Sequence, residues 1–269
     1  MTFSRPALLA SVALLSLGAA HLTPAAAMTS TTNITQEAET NINAPYNAFL
    51  AKYITEQDGI HLVDYAGVTA EDRASLSAYV KALEALTPST MSREEKLAYY
   101  ANIYNAKTIE IILDNYPVTS IRKIGGNLVQ PGPWNEKVLT IEGKELSLNN
   151  VEHDIVRADF DEPRVHYAFN CASIGCPNLM IRAWEAETLE EDFDAAARAY
   201  IAHPRGVNID DRGRVQASSI YKWFKKDFGR NDGEVLDHIR QYATGEKLEK
   251  LNAATKINSY DYDWDLNEV

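Results

Sequence analysis

The chain has 269 residues, 45% of them hydrophobic, and a formal net charge of −12 at pH 7. An acidic surface of this size argues against nucleic acid or anionic lipid as the partner, because both are themselves negatively charged. Beyond the N-terminal segment no stretch reaches the roughly 18 uncharged apolar residues that a transmembrane helix needs, so we expect no stable membrane insertion.

The N-terminal 27 residues have the pattern of a secretory signal peptide. One arginine precedes an apolar run from Ala7 to Ala20, and a small-residue stretch ends at Ala27 in an Ala-x-Ala type of cleavage site. We therefore expect cleavage near Ala27 and a periplasmic or secreted protein. Residues 28–44 are polar and lack periodicity, which predicts a flexible leader, and residues 45–269 are predicted to form a single globular domain.

The clearest helix prediction covers the stretch SREEKLAYYANIYNAKTIEIILDNYP. Ser92 and Glu95 form a capping-box pattern, and Pro117 marks the end. Apolar residues cover most of the circumference, which is typical of a buried helix. Asn102 and Asn105 are therefore expected inside the protein, where they either bond neighbouring loops or line a site.

A second helix is predicted from about Ser147, in LSLNNVEHDIVRADF, with its apolar residues facing the core. Glu152 and His153 are adjacent in this helix and so point to different sides. By themselves they are a poor metal chelate, because helical ligands need a spacing of three or four residues.

The stretch RVHYAFN alternates in the manner of a strand, which predicts that His166 and Asn170 share one face and that Cys171 lies on the other. This geometry favours Cys176 over Cys171 as the thiol partner of His166. Pro177 is suited to the first position of a helix, so Cys176 is predicted to be its N-cap, where the helix dipole favours a thiolate.

The two cysteines lie five positions apart in a chain with a predicted export signal, and three interpretations remain open. They form a structural disulfide, or Cys176 is a nucleophile with His166 as its base, or they are inert thiols or metal ligands. In the second case Asn105, Asn170 or Glu152 would orient the imidazole.

Three further elements complete the prediction. A helix over TLEEDFDAAARAYIAHP begins with a second capping box, Thr188 and Glu191, and a hairpin turns around residues 211–213. A short aromatic helix containing Trp223 follows, and the tail INSYDYDWDLNEV either seals one end of the fold or docks a partner. Helical patterns outnumber strand patterns, which predicts an α+β fold class: one helix-rich domain with a small, mainly antiparallel sheet.

Six stretches occur in one order: YANIYNAKTIEIIL, YPVTSIRKI, LSLNNVEHDIVR, DEPRVHYAFNCASIGCPNL, IYKWFKKDFG and YDYDWDLN. Together they resemble the family known as domain of unknown function 547 over about residues 90–265. The resemblance implies no established activity. A papain-like relation would require circular permutation, because His166 precedes Cys176 here. The family's recurring polar positions correspond to Asn102, Asn105, Glu152, His153, Arg157, Arg164, His166, Asn170, Cys176, Asp263, Trp264 and Asn267.

The favoured hypothesis is an exported thiol-dependent hydrolase or acyltransferase that acts on an amide or ester bond of a small molecule, peptide or cell-envelope substrate. Cys176 would attack the carbonyl, His166 would transfer the proton, and backbone amides at the helix start would hold the oxyanion. Asn102, His153 and Arg164 are assigned to substrate binding, and we expect neither metal nor cofactor.

The alternative hypothesis is a non-catalytic periplasmic binding or assembly module with a Cys171–Cys176 disulfide. A metal site built from Glu152, His153, His166 and a cysteine is the least favoured, because the spacing does not predict that these residues converge.

Overall fold

The computed structural model describes residues 41–127 and 129–269. The predicted signal peptide and residues 28–40 of the predicted leader lie outside these residues. The first helix begins at Ala44, with Pro45 in its first turn. No helix in the described part of the chain is both long enough and apolar enough to cross a membrane.

Helices dominate the described residues, which confirms the predicted helix-rich α+β class. The α-helices are α1 (Ala44–Tyr53), α2 (Ala70–Glu84), α3 (Arg93–Asn115), α4 (Arg157–Asp159), α5 (Leu189–Ala202), α6 (Ile220–Trp223), α7 (Lys225–Phe228), α8 (Asp232–Tyr242) and α9 (Gly245–Ala253). A π-helix, Asn150–Val156, runs directly into α4, at the place where the second helix was predicted. Short 3₁₀ helices cover Pro88–Thr90, Ile121–Lys123, Pro163–Tyr167 and Ala186–Thr188.

The strands form three small sheets. They are β1 (Ile54–Gln57), β2 (Ile60–Val63), β3 (Leu139–Ile141), β4 (Lys144–Leu146), β5 (Val207–Ile209), β6 (Val215–Ser218) and β7 (Ser259–Asp261). The pairs β1–β2, β3–β4 and β5–β6 are antiparallel, and β7 joins β6 in parallel. The β5–β6 pair is the hairpin predicted around residues 211–213.

Helix α3 is the central element of the core. Every residue from 97 to 109 is buried, as the apolar circumference predicted. The capping box is present: the Ser92 hydroxyl accepts from the Glu95 amide at 3.2 Å, and the Glu95 carboxylate accepts from the Ser92 amide at 2.6 Å. A cap of this kind stabilises a helix by about 1 kcal/mol.

The strand predicted over RVHYAFN is wrong, because Pro163–Tyr167 is a 3₁₀ helix. The Glu162 carboxylate accepts from the Arg164 amide and holds the first turn. Residues 165–170 are all buried, so apolar residues here face protein on every side. Their alternation in the sequence therefore carried no information about a strand.

The helix predicted after Cys176 and the capping box predicted for α5 are also wrong. No helix follows Pro177, because the Asn170 side-chain amide donates to the Pro177 carbonyl at 2.8 Å and holds the chain in an irregular loop. Thr188 does not cap α5 in a capping box. It ends a 3₁₀ turn, and its hydroxyl donates to Asp192 at 2.7 Å. The predicted apolar face of α5 is nevertheless buried as expected: Leu189, Phe193, Ala197, Tyr200 and Ile201.

The C-terminal tail packs against the loop that carries the cysteines. The Ile174 amide donates to the Asp265 carbonyl at 2.9 Å, and the Gly175 amide donates to the Asp263 carbonyl at 2.8 Å. A Cβ on Gly175 would lie 2.7 Å from that same Asp263 oxygen, so the close approach requires glycine. These contacts agree with the interpretation that the tail seals one end of the fold.

Candidate functional site

A cavity of about 170 Å³ lies beside the cysteine loop. Both cysteines, two histidines and one glutamate line it, and seven of its fourteen lining residues are Tyr, Phe or Trp. The lining residues are Tyr104, Trp134, Asn149, Glu152, His153, His166, Phe169, Cys171, Cys176, Ile220, Trp223, Phe224, Tyr262 and Trp264.

The two cysteines are free thiols whose sulfur atoms lie 2.8 Å apart. A disulfide bond is about 2.05 Å long, so the structure contains a thiol–thiol contact and not the predicted bridge. Cys176 is the more enclosed of the two, with 2% of its surface exposed.

Several hydrogen-bond donors surround the Cys176 sulfur. The Cys171 amide donates to it at 3.0 Å, the Tyr262 hydroxyl lies at 3.1 Å and the Ser173 hydroxyl at 3.4 Å. Burial raises the pKa of Cys176, but the hydrogen bonds from Cys171, Ser173 and Tyr262 outweigh burial and hold this pKa below its ordinary value. The same contact with Cys176, together with burial, raises the pKa of Cys171. The loop therefore favours the thiolate form at Cys176, whose sulfur accepts from the Cys171 backbone amide as well as facing the two hydroxyls.

The loop holds this geometry through buried amides. The Asn105 side chain bonds both the Ala168 carbonyl and the Asn170 amide at 2.9 Å. The Asn170 side-chain oxygen, Oδ1, accepts from the Ala172 amide at 2.8 Å, and Ala172 takes the left-handed conformation with φ of 58°. Such a conformation is unfavourable for a residue with a side chain, so the surrounding bonds must maintain it. Both asparagines position the loop, and neither bonds His166.

The side chain of Arg205 contacts the loop that carries the cysteines. The Arg205 guanidinium donates to the Ile174 carbonyl at 3.1 Å and to the Asn178 side chain. Burial lowers the pKa of Arg205, while the anionic forms of Tyr200 and Cys176 oppose that shift. A positive charge near the sulfur favours the thiolate.

His166 is held by a carboxylate that the sequence analysis missed. Its Nε2 lies 2.7 Å from Asp227 of α7, and its ring stacks on Phe224 at 4.1 Å between centroids. Burial raises the pKa of Asp227, but the hydrogen bonds from His166 and Arg157 overcome burial and hold this pKa far below its usual range. Asp227 is therefore ionised and accepts the Nε2 proton. Burial also lowers the pKa of His166, which leaves Nδ1 as a free acceptor on a neutral ring.

Glu152 lies on the other side of the same imidazole, with Oε1 4.0 Å from His166 Nδ1. The Tyr104 hydroxyl donates to its other oxygen at 3.3 Å. Burial raises the pKa of Glu152 to about 7, although the Tyr104 hydrogen bond opposes this shift. A carboxyl with this pKa both gives and takes protons near neutral pH.

The structure brings together part of the predicted set. Cys176, His166, Glu152 and His153 line one cavity, although His166 makes no direct hydrogen bond to either cysteine. His153 accepts at Nδ1 from Arg157 at 2.9 Å, and burial, together with Arg157, lowers the pKa of this histidine.

Two residues assigned to substrate binding lie elsewhere. Asn102 is buried and bonds the backbone of Trp184 in both directions, at 2.8 and 2.9 Å. Arg164 forms ion pairs with Glu162, Glu190 and Asp194, away from the cavity. Neither residue lines the cavity that contains the cysteines.

Sequence reasoning missed Asp227 and Tyr262 as partners of the site. Both lie inside stretches that carry the family resemblance, IYKWFKKDFG and YDYDWDLN. Those stretches were the only signal that could have pointed to them. No group of three or more His, Cys, Asp or Glu residues within the described ranges is arranged to hold a metal ion.

Residues 88–201 match the family model described as "Protein of unknown function, DUF547". This match supports the resemblance over the part of the chain that contains Glu152, His166 and both cysteines. Asp227 and Tyr262 lie beyond it, so their stretches rest on the sequence resemblance alone. No curated protein and no solved structure matches the chain, and the permuted papain-like arrangement stays a prediction.

Proposed function

We propose that this protein is an exported thiol-dependent hydrolase or acyltransferase that acts on an amide or ester bond. One observation carries the proposal: the Cys176 sulfur accepts from donors at 3.0 and 3.1 Å, in a cavity that His166 and Glu152 also line. A thiolate held in this way is the attacking species of thiol enzymes. The signal-peptide pattern of residues 1–27 supports export.

The Cys176 thiolate attacks the carbonyl carbon, and negative charge develops on the carbonyl oxygen. The sequence predicts that backbone amides at a helix start stabilise this charge, but no helix follows Pro177 and the Cys176 amide already donates to the Ser173 carbonyl at 3.0 Å. The Tyr262 hydroxyl, 3.1 Å from the sulfur, takes the role instead. A preorganised donor of this kind contributes about 2.7–4 kcal/mol in other acyl-transfer enzymes.

Proton transfer falls to Glu152 and His166. Protonated Glu152 gives its proton to the leaving group as the tetrahedral intermediate collapses, which leaves an acyl group on Cys176. His166 Nδ1 then takes a proton from water, or from an acceptor molecule, which attacks the thioester and releases the thiolate. Asp227 keeps the imidazole in the tautomer that leaves Nδ1 free.

The test is hydrolysis of p-nitrophenyl esters by the wild type, Cys176→Ala and Cys171→Ala. We expect an acyl adduct on Cys176 by mass spectrometry and loss of turnover in Cys176→Ala, with Cys171→Ala retaining part of the activity. Equal turnover in Cys176→Ala and the wild type would overturn the proposal.

A second candidate is the non-catalytic binding or assembly module with a Cys171–Cys176 disulfide. The 2.8 Å separation of the sulfur atoms favours it, because little movement is needed to form the bond. Alkylation of the denatured protein separates the two candidates. Two alkyl groups without reductant support the enzyme, whereas none without reductant and two with it support the disulfide.

A further inference from the structure

The reactive groups lie at the buried end of the cavity. Cys176 is 2% exposed, His166 3% and Glu152 8%. In contrast, Trp223 is 46% exposed, and Tyr262 and Trp264 are partly exposed beside it. Only the end of a molecule, inserted past these rings, reaches the sulfur.

The walls at the open end are a continuous aromatic surface. The Trp223 ring lies 4.8 Å from Tyr262 and 5.5 Å from Trp264, and Trp134 lies 5.8 Å from Trp264, all measured between centroids. Rings at these separations contact one another and offer both faces and edges to a ligand. This surface favours an apolar or aromatic group over a polar one.

The charges in the cavity are acidic. Among the described residues that line it, none is lysine or arginine. Arg157 is paired with Asp227 behind His166, and Arg122 lies over the Trp264 ring at 5.0 Å without lining the cavity. An anionic acyl group would meet the Cys176 thiolate, and no cation among the described lining residues would balance its charge.

The volume of the cavity limits the size of the acyl group. A cavity of about 150 Å³ with apolar walls holds one benzene molecule in another protein, and this cavity measures about 170 Å³. We infer that the substrate is a small ester with a neutral, apolar acyl group of about one ring, which lies among the tryptophans. This inference rests on the proposed function.

A bond forms between the Cys176 sulfur and the acyl carbon, and the bond to the alkoxide leaving group breaks as that group takes the proton of Glu152. Water then attacks the acyl carbon, His166 Nδ1 takes one of its protons, and the bond to sulfur breaks. The carboxylic acid leaves, the Cys176 thiolate returns, and the proton on His166 passes to Glu152, whose Oε1 lies 4.0 Å from Nδ1.

The experiment compares p-nitrophenyl phenylacetate, butyrate, acetate and hemisuccinate by kcat/KM and by acyl adducts on Cys176. We expect phenylacetate to exceed acetate, and butyrate to exceed hemisuccinate, by at least about tenfold each, because an added apolar group in a fitted pocket gives about this discrimination. Trp134→Ala should reduce the phenylacetate preference, whereas Ile181→Ala, on the exposed surface, should not change it.

Binding is measured separately on the Cys176→Ala protein, by quenching of tryptophan fluorescence with benzamide, acetamide and succinate. Benzamide alone is expected to bind. If esters acylate Cys176 without preference and benzamide does not bind, the substrate inference fails while the nucleophile stands. If no ester acylates Cys176, the proposed function fails, and the substrate inference fails with it.

Discussion

The Tyr262 hydroxyl offers the sharpest test of how the cavity makes a thiolate. It lies 3.1 Å from the Cys176 sulfur, 3.2 Å from the Cys171 sulfur and 3.0 Å from the Ser173 oxygen. Tyr262→Phe removes this donor and keeps the ring, which packs on Trp223 and Trp264 at 4.8 and 4.6 Å. The substitution therefore changes the hydrogen bonding of the sulfur with little change in packing.

A hydrogen bond to a charged group contributes about 1.5–3 kcal/mol. Because three neighbouring atoms share this hydroxyl, we take the lower end of that energy range for its hydrogen bond to Cys176. About 1.4 kcal/mol corresponds to one pKa unit. The hydrogen bond stabilises the thiolate, so its loss raises the pKa of Cys176 by about one unit. At any pH below both midpoints, alkylation of Cys176 should slow about tenfold.

The assay is the rate of iodoacetamide labelling between pH 5 and pH 10, with the label assigned to Cys176 by peptide mapping. The wild-type midpoint should lie below the value of a free thiol, about 8.5. Tyr221→Phe is the matched control, because its buried hydroxyl contacts Tyr167 at 3.1 Å and neither sulfur. An unchanged midpoint in Tyr262→Phe, with a native unfolding curve, would refute the hydrogen-bond account of the thiolate.

Three further predictions concern the residues around the sulfur. Asp227→Asn should lower kcat by about 10²–10⁴-fold, because the orienting carboxylate of His166 is lost. The folded-state pKa of Asp227 is depressed. In urea titrations, the wild type should therefore have a higher free energy of unfolding than Asp227→Asn above about pH 4, and this difference should be lost as the pH falls below that value. The folded-state pKa of Glu152 is raised to about 7, so the stability of the wild type relative to Glu152→Gln should fall as pH rises from about 4.5 to 7. A constant stability difference between the two proteins over this range would contradict the raised pKa. Asn102→Ala should lower the free energy of unfolding by about 2–4 kcal/mol, because the Trp184 N–H and C=O lose their partner. The rate of Cys176 alkylation should not change. A slower alkylation in the folded variant would mean that Asn102 does influence the site.

Elements whose signal is local could be predicted from the sequence. The Ser92–Glu95 capping box and the apolar circumference of α3 are encoded within a few turns of one helix, and both are confirmed. The turn of the β5–β6 hairpin is similarly local, with Gly213 at φ of 73°. The burial of Asn105 followed from the same pattern, although its partners did not.

Predictions failed where distant residues decide the backbone. The first four residues of RVHYAFN lie in a 3₁₀ helix and the rest form an irregular loop, although the stretch alternates, because residues 165–170 are all buried. Pro177 starts no helix, because Asn170 binds its carbonyl at 2.8 Å. Thr188 faces Asp192 and does not cap its helix in the predicted way.

The sequence by itself determined the helix-rich class and the central buried helix, and it pointed to the cysteine–histidine segment as the proposed site. Only the tertiary structure decided which groups surround the sulfur and the imidazole in that proposed site. Asp227 is 61 residues from His166 along the chain, and Tyr262 is 86 residues from Cys176. Helical and strand periodicity extends over a few residues, whereas hydrogen bonds between side chains depend on packing that no local pattern contains. Cys176 could therefore be chosen over Cys171 on its hydrogen bonds only after the tertiary structure showed the C-terminal tail packed against the cysteine loop.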